Sequence, residues 1–249
     1  MADTPVLVRV QAKGGKFLGP DAGYSRVTIR NADTGEVLAQ GTGQGQSGQL
    51  TGSFLPAATR QALVTPQFNT NSQLWLSAQP GQATAGFTAT LPLDAPTRVE
   101  FVAEALADGV PNGYTASQTM TLLPGADLSA EPGVVLVIPG LRVKVTDTKV
   151  SNDGASVVVT AQVTMMCGCP IDPALPWVPT AFVVSASVRE RAGPFTLENV
   201  QLDFQMRNTF ANTQPFSLPR PGEYDVVVTA VQPAEGNMGI AAGTVTVPA

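Results

Sequence analysis

The sequence contains no histidine. That absence excludes a Ser–His–Asp or Cys–His nucleophile system. It also excludes zinc sites with imidazole ligands, blue-copper sites, facial-triad iron and His-ligated haem. Only two cysteines are present, Cys167 and Cys169, so no disulfide framework can be built. Charged residues make up 13% of the 249, about half the usual share for a soluble domain. The net charge is −5, and the four Lys and ten Arg are spread thinly. Phosphate binding needs clustered cations, so the balance argues against nucleic acid. Aromatics are 6%, too few for a sugar-stacking platform. The longest apolar run, Val134 to Ile138, is five residues, far short of a membrane-spanning helix. The polar start Met1-Ala2-Asp3-Thr4-Pro5 leads straight into a strand-like run. An exported chain, periplasmic or extracellular, is the expectation, with a cytoplasmic protein as the alternative.

What is present is strand signal. Apolar residues alternate in short runs bounded by Gly, Pro, Asn and Asp, and helical periodicity is nearly missing. Pro5 to Gln11 places Val6, Val8 and Val10 on one face. Arg26–Arg30 and Glu36–Gln40 flank Asn31-Ala32-Asp33-Thr34-Gly35, a hairpin with Gly35 in the left-handed region. Runs at 73–78, 85–91, 97–106 and 115–123 continue the pattern, and 41–52 reads as a Gly- and Gln-rich loop. Glu100 and Glu104 share one face, and their outward parity reads as a solvated surface rather than a glycosidase pair. Asp147, Asn152 and Asp153 fit no EF-hand spacing.

The rhythm breaks at 124–133 and restarts after Pro139-Gly140. Two domains are expected, residues 1–139 and 140–249. Strands in the second are read at 141–150, 156–166, 181–189, 195–204, 216–218, 223–231 and 243–247. Seven short strands over about a hundred residues is the sandwich pattern. In Pro221-Gly222-Glu223-Tyr224-Asp225-Val226-Val227-Val228-Thr229-Ala230, Tyr224, Val226, Val228 and Ala230 face inward. A Tyr opening the penultimate strand after a Pro-Gly turn resembles the tyrosine corner of bacterial immunoglobulin-like or fibronectin-like modules. The resemblance covers residues 141–247 and implies architecture, not function. It departs from antibody domains, because both cysteines lie on one segment. Thr97 stands where the first domain would carry its own corner Tyr. The fold class expected is all-β, as two tandem immunoglobulin-like β-sandwiches.

One segment carries chemistry. Met165-Met166-Cys167-Gly168-Cys169-Pro170 holds four of the chain's eight sulfurs. Soft thioether and thiolate ligands favour Cu(I), whereas structural zinc wants four N or S ligands. Val157, Val159, Ala161 and Val163 alternate with polar residues, which puts Met165 inward at the strand end. Continued extension sets Cys167 and Cys169 on that side, points Met166 out, and leaves Gly168 to turn the backbone. The next turn, read as a loop at 232–239, emerges at the same end and brings Met238. Trp177 is placed to cap the site. The metal set expected is therefore Met165, Cys167, Cys169 and Met238, with Met166 as substitute.

Three readings follow. The leading one is a non-enzymatic Cu(I) protein that exchanges the ion with a protein partner. The second is an extracellular structural or adhesive module, with strand Pro5–Val10 adding to a neighbour's sheet. The third is a thiol–disulfide factor using a strained Cys167–Cys169 pair. Against all three stands simple core packing, for which Met and Cys are common fillers.

Overall fold

A computed structural model describes residues 1–47, 85–106, 114–130, 132–150 and 156–248. The sequence readings at 73–78, at 48–52 and at the turn 151–154 lie outside the described residues. The fold is an all-β sandwich fold, and among the described residues the regular elements are strands apart from two short 3-10 turns. The chain divides into two compact units. One is Met1–Pro139 with Met166–Gly168; the other is Gly140–Met165 with Cys169–Ala249.

In the first unit, one sheet has the order β4 (Phe87–Leu93), β1 (Ala2–Ala12), β7 (Val134–Ile138). The other has the order β3 (Val37–Thr42), β2 (Ser25–Asn31), β5 (Thr97–Ala105), β6 (Thr115–Leu122). The β2–β3 turn carries Gly35 at φ +77°, and the Asn31 carboxamide oxygen accepts the amides of Asp33 and Thr34 at 2.9 and 3.1 Å. Register sets Arg30 beside Glu100 at 2.6 Å and Arg26 beside Glu104 at 3.2 Å. Both carboxylates thus lie in cross-strand ion pairs on a solvated face.

Strand β1 corrects one expectation. It pairs antiparallel with β4 from Ala2 to Val8 and parallel with β7 from Val8 to Ala12. Leu7 and Arg9 are buried as well as Val6, Val8 and Val10. The remaining edges are met by Leu128, which bridges Val6 and exchanges backbone bonds with Pro5 and Leu7, and by Phe17 and Leu18, which pair with Gln11 and Val10, so β1 has no open edge to add to a neighbour's sheet. The Arg9 guanidinium lies over the Phe17 ring, 5.7 Å from its centroid, a cation–π contact for this buried cation.

In the second unit, one sheet runs β11 (Thr196–Gln201), β10 (Val183–Glu190), β15 (Gly222–Gln232), β16 (Asn237–Val247). The other runs β12 (Asp203–Met206), β13 (Thr209–Ala211), β9 (Ser156–Met165), β14 (Phe216–Ser217), with β8 (Leu141–Val150) also on β9. Val157, Val159, Ala161, Val163 and Met165 from β9 are fully buried, as are Tyr224, Val226, Val228 and Ala230 from β15. The Tyr224 hydroxyl donates to the Arg220 carbonyl at 2.7 Å, four residues back. Between β13 and β14 the buried Asn212 takes over part of the ladder. Its side chain accepts Val159 N–H at 2.7 Å and donates to Val157 C=O at 3.2 Å and Gln214 C=O at 2.8 Å.

Strand β16 starts at Asn237, six residues before the sequence reading puts it. The reason is steric. A Cβ at Gly239 would stand 2.5 Å from the Leu141 carbonyl, and one at Gly243 would stand 3.0 Å from Val145. Close approach of β8 requires glycine here, and glycine hides the strand signal.

Candidate functional site

The sulfur segment is a tight hairpin turn. Met165 N–H donates to Cys169 C=O at 3.0 Å, and Thr164 bridges Pro170 in antiparallel register. Met166, Cys167 and Gly168 form the three-residue loop, and Gly168 has φ +75°. A left-handed glycine closing such a loop is the G1-bulge hairpin. Gly168 is therefore required for backbone reasons. Beyond the turn, Asn208, itself left-handed at φ +64°, fixes the returning chain. Its side-chain oxygen accepts Ile171 N–H at 2.7 Å, its N–H donates to Ile171 C=O at 3.0 Å, and its carbonyl accepts Val163 N–H at 2.8 Å.

Met165 is fully buried, as the alternation on β9 requires. Met166 is also fully buried, not outward as continued extension implied, because the chain turns at that residue. Cys167 and Cys169 are each 6% exposed, and neither is in a disulfide. The register opposes Met165 to Leu141 on one side and to Cys169 on the other. Cys167 occupies the turn itself. Its Sγ lies 3.0 Å from the point where a Cβ on Gly15 would stand. Gly15 belongs to a turn closed by Gly15 N–H to Ala12 C=O at 2.8 Å and Ala12 N–H to Lys16 C=O at 2.9 Å. The Gly14-Gly15 pair between two strand-like runs is the sequence signal that could have marked this neighbour.

Met238 is the residue the fold sets apart. The β15–β16 connection does reach the same end as Met165: Gly140 N–H donates to the Asn237 side-chain oxygen at 3.0 Å, and Leu141 opposes Met165. The expected loop at 232–239 shrinks to the turn between Gln232 and Asn237. Met238 falls in β16 opposite Val231 and is 60% exposed, while Asn237 is fully buried. Strand alternation turns it out of the core. Trp177 is 2% exposed, held in a local turn by Asp172 N–H to Trp177 C=O at 3.0 Å.

Among the described residues, no group of three or more Cys, Asp or Glu gathers that could hold a metal ion. A metal at the hairpin would draw on thioether as well as thiol sulfur.

A second feature is an open pocket of about 390 Å³ lined by Glu190, Arg191, Arg220 and Glu223. Its charges are already spent on each other. Arg220 Nε donates to Glu190 Oε1 at 2.5 Å, and Arg191 reaches Asp225 at 2.6 Å and Glu223 at 3.0 Å. The Arg220 hydrogen bond holds the Glu190 carboxyl below the usual carboxylate range, against the opposing effect of burial. Glu190 Oε2 has no hydrogen-bond partner among the described residues, and a Cβ at Gly193 would collide with it.

No protein-family model matches the sequence, and no curated protein matches it. Among solved structures, the chain is similar to a DUF3823 family protein from Parabacteroides merdae ATCC 43184. The match covers 99% of this chain and 98% of that one, at 12% identity and a TM-score of 0.25. A likeness that weak says nothing about what the protein does.

Proposed function

We propose that the protein is a non-enzymatic soft-metal binder that takes Cu(I) on the sulfur hairpin. The observation that supports this is the concentration of four sulfurs in one turn, with two unbridged thiols and Met165 set directly across from Cys169. Polarisable sulfur in a water-poor turn suits a monovalent soft ion and disfavours hard cations. Exposures of 0 to 6% mean that the turn must open for the ion to enter or leave. The test is Cu(I) titration of reduced, anaerobic protein against a chromophoric competing chelator. Wild type should take up one equivalent, and the double variant Cys167→Ser, Cys169→Ser should take up none. Equal uptake by both proteins ends the metal reading and leaves the sulfurs as core.

A structural, self-associating module is the second reading, and strand β6 favours it. Among the described residues, Thr115–Leu122 is a terminal strand of its sheet, eight residues long, with no charge and no proline. Its register with β5 runs from 97↔122 to 104↔115 without a bulge. Natural edge strands usually carry such guards.

A further inference from the structure

Resting on the copper reading, we infer that the ion is held by Met165 and Cys169 as a two-sulfur pair, and that Cys167 is not a ligand. Met165, Cys167 and Cys169 are not equivalent. The bond from Met165 N–H to Cys169 C=O and the Thr164–Pro170 bridge make 165 and 169 a cross-strand pair. Side chains at such a pair leave the same face with Cβ atoms about 5 Å apart. Two sulfurs so placed can close on one ion from opposite sides. On that face β9 directs Met165 inward, where it is fully buried.

Cys167 is in a different position. It sits in the loop of the hairpin, separated from Cys169 by the left-handed Gly168. Its Sγ is packed at Gly15, so close that a methyl there would touch both Sγ at 3.0 Å and the Ala12 Cβ at 3.1 Å. Thioether–thiolate pairing also sets the chemistry of loading. The Cys169 thiol gives up its proton as the Cu–S bond forms, copper remains Cu(I), and the Met165 thioether contributes a lone pair with no proton released. One proton per ion is therefore released, not two.

The experiment compares variants under anaerobic, reducing conditions with Cu(I) and a competing chelator. Cys169→Ser and Cys169→Ala should each lower affinity about tenfold or more, and Met165→Leu should lower it while conserving core volume. Cys167→Ser and Gly15→Ala should stay within about twofold of wild type. X-ray absorption on wild-type protein, which needs no variant to fold, should count two sulfurs per copper. Three sulfurs, or a tenfold loss in Cys167→Ser with Cys169→Ser unaffected, would overturn the assignment while leaving copper binding intact. No uptake by wild type removes the copper reading and this assignment together.

Discussion

Single residues decide how the second unit closes. Tyr224 combines a fully buried ring with one hydroxyl bond to the Arg220 carbonyl. Tyr224→Phe keeps the ring and its edge contact with Phe195 but orphans that carbonyl. The expected cost is about 1 kcal/mol, read as a lower urea midpoint at unchanged slope. An unchanged midpoint would mean that water replaces the hydroxyl freely. Glu190 gives a pH signature in the same corner. Its folded pKa lies below the unfolded value because Arg220 donates to it. The unfolded state therefore binds the proton more readily, and stability falls with acid. The contribution is complete above the unfolded pKa and is lost as pH drops through the lower folded value. Glu190→Gln should flatten this acid limb in urea unfolding followed from pH 7 to pH 3. An acid limb as steep as that of wild type would assign the effect to other carboxylates. Gly193 matters for the same pair, since any side chain there would force the two groups apart.

At the scale of elements, alternation was legible wherever side chains were large enough to alternate. Strands β8, β9 and β15 could be read because Val, Leu and Tyr mark the buried face, and their bounds fall within a residue or two of the reading. Strand β16 could not, because Gly239 and Gly243 answer to a neighbour that the sequence does not reveal. Misreading that strand as a loop is also why Met238 was assigned to the site. Met166 departs from parity for a related reason: parity holds only while the chain stays extended, and β9 ends at Met165, so Met166 already lies in the turn. Strand β6 carries the element-level prediction. Thr119 is exposed and lies opposite Glu100, so Thr119→Lys gains a neighbouring carboxylate and guards the edge. If wild type associates through β6, light scattering should show mass rising with concentration, and Thr119→Lys should abolish the rise. Association undiminished in the variant would place the contact elsewhere.

For the whole molecule, composition settled more than any motif. The zero count of histidine removes imidazole catalysis and imidazole metal sites whatever the fold. Short apolar runs punctuated by Gly and Pro dictate an all-β chain, because no stretch is long enough and helically periodic enough to do otherwise. Inward alternation on β9 and β15, the Gly35 turn and the concentration of sulfur at 165–169 follow from local sequence, since each depends on near neighbours in the chain. Tertiary structure alone decided the rest. It paired both edges of β1, turned Met238 to solvent, buried Met166, and set Met165 across from Cys169 while packing Cys167 at Gly15. Those outcomes depend on which distant segments approach one another. Spacing along a chain fixes the face of a strand, but the partner on that face is fixed only when the sheets assemble.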